Sequence, residues 1–272
     1  MQQPDELPAE IDLKRPSAAR VYDYFLGGAH NFEIDRQLAE QIAAMTPNLA
    51  DTMRAGRAFL RRAVRVIAEA GVDQFLDIGS GIPTVGNVHE VAQAINPAAR
   101  IVYVDIDPVA VAHSREILAG NDRAAVLHAD LREPDRILAG AADSGLIDFS
   151  RPVAVLLAGV VHFVPDADDP AKILDTLRRA TAPGSYLVVS HSTYEDQPRE
   201  MLDAQRLSGR TATEITLRSR AEITGFFGDF TLLEPGVVHM PLWRPDAPSD
   251  VADQPERYGA FGGVGRNDRT AG

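Results

Sequence analysis

The alternation of hydrophobic and polar positions falls into two regimes that change near residue 73. Before it, apolar residues recur at helical spacing. Val21, Tyr22, Phe25 and Leu26 follow Ser17, a residue suited to an N-cap, and the run stops at Gly27-Gly28. A second helix is expected over 35–44. Asn48 stands as the cap of a long third helix, with Leu49, Met53, Phe59, Leu60, Ala63, Val64 and Ile67 on its apolar face and Gly71 at its end. Arg54, Arg57, Arg61, Arg62 and Arg65 fall on its other faces and read as a solvated surface. Residues 1–16, polar and proline-containing, read as a flexible arm.

After residue 73, short apolar runs alternate with helical stretches. QFLDIG, IVYVD, AAVLHAD, PVAVLLAG and SYLVVSH read as five strands. Between them, Pro108 opens a helix that Gly120 closes, Pro134 opens a short one, and Asp169 caps a helix with Pro170 in its first turn. Repeated strand–helix–strand units imply a parallel sheet covered by helices on both faces. A polar insert, 196–218, then interrupts. Ser219 and Glu222 form a capping box for RAEITGFF. FTLLEPGVVHMPLW reads as two strands turning at Pro235-Gly236, an antiparallel hairpin. The segment 246–272, rich in Gly, Pro and Asp, reads as a loop-rich tail. The expected organisation is effectively one domain, with a helical segment (17–72) packed on a core (73–245).

The chemistry concentrates where strands end. The first strand runs into FLDIGSGIPT, an acid followed by two glycines one residue apart. Dinucleotides, nucleotide phosphates and S-adenosylmethionine are all held by loops of this kind. A dinucleotide fingerprint needs a third glycine, but Thr84 stands there and Pro83 precedes it. No Gly-Lys-Ser/Thr follows, which excludes a P-loop. Asp77 before the glycines would repel a pyrophosphate and attract an amino group and a sulfonium. Asp105 ends the second strand about 24 residues after Gly81 and suits a pair of ribose hydroxyls, a feature NAD would share. Asp130 follows the third strand, where it can accept an adenine amino group. Three acids at successive strand ends lie on the edge where open α/β sheets bind ligands.

Composition narrows the alternatives. The net charge of -12 argues against non-specific nucleic-acid binding and against an anionic membrane surface. The absence of cysteine removes disulfides, thiolate metal sites and a Cys nucleophile, and suits a reducing cytoplasm. The first residues lack a signal-peptide pattern, and no apolar run is long enough to span a membrane. His162, after the fourth strand, and His191, ending the fifth, are candidate bases at the productive edge. Each could equally serve a loop carbonyl. Asp166, Asp168 and Asp169 read as a loop and helix start rather than a metal site, so no metal is expected.

ARVYDYFLGGAHNFEIDR (19–36), GSGIPT (79–84), YVDIDP (103–108), ADLREP (129–134) and GVVHFVPD (159–166) together resemble a family found chiefly in actinobacteria, the S-adenosyl methyltransferase family, once catalogued as a domain of unknown function. The resemblance spans about residues 15–265, and Ile82-Pro83 replaces the third glycine usual in the wider class. It implies an α/β, Rossmann-like class I methyltransferase fold: a mostly parallel seven-stranded sheet, an antiparallel C-terminal hairpin and an N-terminal helical lid. S-adenosylmethionine is the implied cofactor. The resemblance places Asp77, Gly79, Ser80 and Gly81 at the methionine moiety, Asp105 at the ribose and Asp130 with Leu131 at the adenine, with Ile106 and Asp107 also among the cofactor-binding residues. Ala158 to His162 would lie near the sulfonium, and Tyr22, Tyr24, Gly27, Gly28 and Asn31 in the lid. The expected activity is methyl transfer to a small-molecule acceptor, without nucleic acid or membrane as partner. A non-catalytic sensor of S-adenosylmethionine or S-adenosylhomocysteine is the alternative, and a nucleotide-dependent oxidoreductase is disfavoured by Asp77.

Overall fold

The computed structural model describes residues 15–46, 48–82, 86–197, 215–247, 251 and 254–270. The arm up to residue 14, Pro83 and Thr84, and most of the polar insert (198–214) lie outside the described residues. Three helices come first: α1 (Ala18–Phe25), α2 (Glu33–Met45) and α3 (Leu49–Glu69). There follow β1 (Gln74–Ile78), α4 (Val88–Ile95), β2 (Arg100–Asp105), α5 (Pro108–Ile117), β3 (Ala124–His128), α6 (Pro134–Asp143), β4 (Ala154–Ala158), α7 (Pro170–Arg179) and β5 (Tyr186–Ser192). The chain closes with α8 (Arg220–Gly225), β6 (Thr231–Leu232), β7 (Val238–His239) and β8 (Ala260–Arg266).

Strands β1 to β5 are parallel and ordered β3-β2-β1-β4-β5, with β8 antiparallel to β5. Strand side chains alternate between two helical layers, as period two requires. Leu76, Ile78, Val102, Val104, Val155 and Leu157 pack with Ile137 of α6, Leu174 and Leu177 of α7 and Ile223 of α8. Phe75, Ile101, Tyr103, Ala154, Leu156 and Val188 pack with Phe59, Val64 and Ile67 of α3 and Val88 of α4. Each buried Val, Leu, Ile or Phe among them contributes roughly 1.5–3 kcal/mol by leaving water. A smaller cluster, Val21, Phe25 and Ala39, joins α1 to α2.

The sheet departs from expectation at its antiparallel end. Among the described residues it has eight strands rather than seven. β6 and β7 do not form the expected hairpin; each pairs with β8. The tail thus contains a full strand inside the sheet. Its sequence, AFGGVGR, reads as loop because glycine is poor in strands. Here glycine makes room: a Cβ on Gly262 would meet the Phe59 ring at 2.9 Å, and one on Gly265 would meet Phe227 at 2.8 Å.

The α3 arginines also differ. Arg62 is buried and donates to the carbonyls of Trp243 (2.9 Å) and Met240 (2.8 Å). It fastens the chain between β7 and β8 to the helix that covers the sheet. Arg57 is half-buried and turns toward the end of β1.

Candidate functional site

Sequence order reverses between β1 and β4, so the crevice above their C-terminal ends is the topological switch point where such sheets bind ligands. Two loops meet there. Gly79 leaves β1 with φ of 73°, and its amide donates to the Val104 carbonyl at 2.8 Å. Gly159 leaves β4 with φ of 73°, its amide donating to Ser190 at 3.1 Å. The loops touch so closely that a Cβ on Gly79 would lie 2.3 Å from Cγ2 of Val160. Space opens at Gly81, also left-handed at 64°, where an added Cβ would meet nothing within 4 Å.

The expected acids divide into two kinds. Asp105 is buried, yet accepts only backbone donors: Gly81 N on Oδ2 at 2.7 Å and Asp107 N on Oδ1 at 2.8 Å. The Ile106 amide adds to these bonds. Burial pushes its carboxyl up to about 6 against the pull of those amides. Asp77 is also buried and is raised further, to about 7, by desolvation and the neighbouring Asp105 charge, with the Arg57 guanidinium opposing. Two buried carboxylates held above their ordinary range form a site that favours a cation and hydroxyl donors.

Asp107 and Asp130 are already engaged. Asp107 caps α5 through Val109 N at 2.8 Å, and its other oxygen accepts from the Ser17 hydroxyl. Asp130 is gripped by Arg132, whose Nε lies 2.9 Å from Oδ2. Burial alone would raise Asp130, but the bonds from Arg132 outweigh it and hold the carboxyl low. Between Asp105 and Asp107, Ile106 is 55% exposed, an apolar side chain on the rim. Leu131 is buried, and Ser80 and Ala158 are half-buried along the crevice.

The N-terminal helices are bound to this rim. Asp35, fully buried, accepts from Ser17 N (2.9 Å) and Phe32 N (2.9 Å) and pairs with Arg20 at 2.9 Å. Asp23 accepts from His30 N (2.8 Å) and from Asn31 Nδ2 (2.9 Å), and His30 stacks on His113 of α5 with centroids 4.3 Å apart. Asn31 therefore shapes the lid loop. Tyr24 points its hydroxyl at Glu40 of α2 (3.5 Å). Tyr22 is the tyrosine on the crevice side: Arg57 lies 5.9 Å from its ring, and the charge of Asp77 bears on it.

The two histidines prove unequal. His191 Nδ1 lies 2.7 Å from the Ser192 carbonyl, so this nitrogen carries the proton. Nε2 is then an acceptor, and Arg218 Nη1 occupies it at 2.9 Å. Burial, opposed by the Ser192 bond, pushes His191 down to about 4. With its lone pair taken, it is not available as a base. His162 sits on the crevice side, edge-on to His191 at 5.7 Å and to Phe163 at 4.3 Å. Desolvation, His191 and Arg218 push it to about 3. Part of its surface stays exposed, which softens that shift, but the ring is neutral at pH 7 either way.

Two arginines at this edge escape a sequence reading. Arg57 lies on a face of α3 that helical periodicity marks as outer. Arg218 is buried and also donates to the Val164 carbonyl (3.0 Å) and to Asp166 (2.6 Å), locking the loop after β4. No local signal distinguishes it from the other polar residues of the insert. Asp168 lies 3.7 Å from Arg132, and Asp169 caps α7 through Lys172 N at 3.1 Å. Among the described residues no helix is long and apolar enough to cross a membrane.

A family model described as S-adenosyl methyltransferase matches residues 4–268. A solved structure from Thermobifida fusca is 43% identical with a TM-score of 0.89, covering 96% of this chain and 98% of that one. A DUF574 family protein from Streptomyces avermitilis is 38% identical with a TM-score of 0.89, covering 94% of this chain and 99% of that one. A curated relative, ribosomal RNA small subunit methyltransferase H of Halorhodospira halophila, is 36% identical over 85 residues. That match takes in 31% of this chain and 24% of the relative, so the chain spans about a quarter of that protein's length.

Proposed function

The chain belongs to the S-adenosyl methyltransferase family and is an S-adenosylmethionine-dependent methyltransferase; on that premise we propose that its acceptor is a small molecule, methylated in the crevice between β1 and β4. The observation that carries this reading is the fastening of the N-terminal helices to the cofactor rim through Ser17 and Asp107. A crevice roofed in this way suits a compact acceptor better than a polymer threaded across it. The acidic balance of the chain points the same way. The lack of cysteine suits a cytoplasmic setting.

The residues fit the donor. Asp105, held by backbone amides alone, offers its remaining acceptor capacity to the ribose hydroxyls. Ile106 offers an apolar face to the adenine, and Gly79 to Gly81 give the close backbone approach that the methionine part needs. When bound, S-adenosylmethionine supplies an electrophilic methyl on a sulfonium, open to in-line displacement. What remains for the chain is alignment, which can itself account for much of the rate. Val160 and Phe163 set apolar side chains beside His162. His162 is neutral at pH 7, and its role in this reading is to orient the acceptor by a hydrogen bond. His191 and Arg218 hold the wall behind it.

The acceptor class is tested by incubating the full chain with methyl-labelled S-adenosylmethionine and a cell extract separated by size. Label in the low-mass fraction is the expected outcome. Label in RNA or protein alone would overturn the small-molecule reading.

A further inference from the structure

We propose that Arg57 is a cofactor-binding residue: its guanidinium receives the carboxylate of the methionine moiety while Asp77 receives the amino group. The inference rests on the reading of the β1 loop as the cofactor site.

The argument begins with the ligand's charge. The amino-acid end of the cofactor is a zwitterion, and burying it costs several kcal/mol per ion unless each charge finds a partner. The crevice provides one evident negative partner, Asp77, at the end of β1. Beside it, α3 lays an arginine across the following loop. Arg57 Nη2 reaches the Ile82 carbonyl at 3.5 Å, and its guanidinium stands 5.9 Å from the Tyr22 ring. One turn on, the Arg61 stem packs where a Cβ on Gly86 would lie, at 3.1 Å, so the helix and the loop are in contact. The charge of Arg57 bears on the ionisation of Asp77, Tyr22 and Tyr103 alike, and Tyr103 is the register neighbour of Asp77 in the sheet.

Arg57, over Tyr22 and beside the Ile82 carbonyl, and Asp77, at the end of β1, thus present a cation and an anion at the β1 loop, one for each charge of the zwitterion. Arginine suits this task because its planar fork meets a carboxylate with two parallel bonds. Tyr22 backs the guanidinium, its own hydroxyl donating to the Met53 carbonyl at 3.2 Å. The helical segment would then supply a direct contact to the cofactor besides covering it.

The test is a cycle of two proteins and two ligands by calorimetry. The full chain and Arg57→Met are titrated with S-adenosylhomocysteine and with its decarboxylated analogue. In the unaltered chain, removing the carboxylate should weaken binding about 10- to 150-fold, the worth of a hydrogen bond to a charged group. In Arg57→Met the two ligands should bind alike, and Arg57→Lys should recover part of the difference. The proposal is overturned if the unaltered chain binds both ligands equally, or if Arg57→Met weakens both by the same factor. Should the Met variant fail to fold, Arg57→Lys carries the test: a reduced carboxylate preference supports the proposal, and a preference equal to that of the unaltered chain overturns it. Failure of the unaltered chain to bind either ligand would instead remove the cofactor-site reading beneath it.

Discussion

Arg218 Nη1 donates to Nε2 of His191 across 2.9 Å, between an insert residue and the end of a central strand. This bond fixes His191 with its proton on Nδ1 and places a cation behind the crevice wall. Nitrogen-correlated NMR should therefore show His191 as a single Nδ1–H tautomer, neutral from pH 5 to 9. Arg218→Met should release it to a tautomer mixture and, by leaving the Val164 carbonyl without its donor, cost about 1–3 kcal/mol of stability. A tautomer unchanged by the substitution would show that Ser192 alone sets it.

Gly79→Ala should damage the site through a single contact. The added Cβ meets Val160 at 2.3 Å, and φ of 73° is costly for any side chain. Binding of S-adenosylhomocysteine should fall below detection. Val160→Gly in the same chain should restore it in part, short by the roughly 1–2 kcal/mol of left-handed strain that remains. Full binding by Gly79→Ala alone would mean that the two loops yield freely.

Burial holds Asp77 near 7 and Asp105 near 6, above their unfolded range. The folded chain therefore holds protons that the unfolded chain has lost. The contribution of these two groups to stability falls as pH rises from about 4 through 7. In the proposed site a ligand presenting an ammonium and hydroxyls favours both ionised forms, so binding should release protons and tighten between pH 5.5 and 8. The rise in melting temperature caused by S-adenosylhomocysteine should accordingly be larger at pH 8 than at pH 5.5. An equal or smaller rise would place the ligand away from these carboxyls.

The sequence reading and the structure agree most where one residue's chemistry is local. The β1 acid and glycines, the acid ending β2, and the capping box at Ser219 depend on neighbours a few positions away. They diverge where a distant segment decides. Periodicity fixes which face of α3 is apolar, but not that the 240–243 turn would cover Arg62 from another side. The glycines of β8 read as loop until Phe59 and Phe227 fill the space above them. His162 and His191 look alike in the sequence, and it is burial together with the bonds to the Ser192 carbonyl and from Arg218 that separates them.

The lid turns on Asp35, which gathers Ser17 N, Phe32 N and Arg20. Asp35→Ala removes the buried partner of Arg20, a loss of about 3–5 kcal/mol that falls on the N-terminal helices. Hydrogen exchange over α1 should rise while β1, β2 and β4 stay protected, and ligand affinity should drop. Unchanged affinity with a loosened α1 would reduce these helices to packing.

The central claim is that strand-end acids at the switch point hold an adenosyl ligand without phosphates. Calorimetric titration of the full chain and of Asp105→Ala with S-adenosylhomocysteine tests it most directly. The expected result is one ligand per chain in the micromolar range, no heat with NADH, and binding about 10- to 150-fold weaker in the variant, as loss of a charge-assisted bond predicts. Binding of NADH in place of S-adenosylhomocysteine, or full affinity in Asp105→Ala, would contradict it.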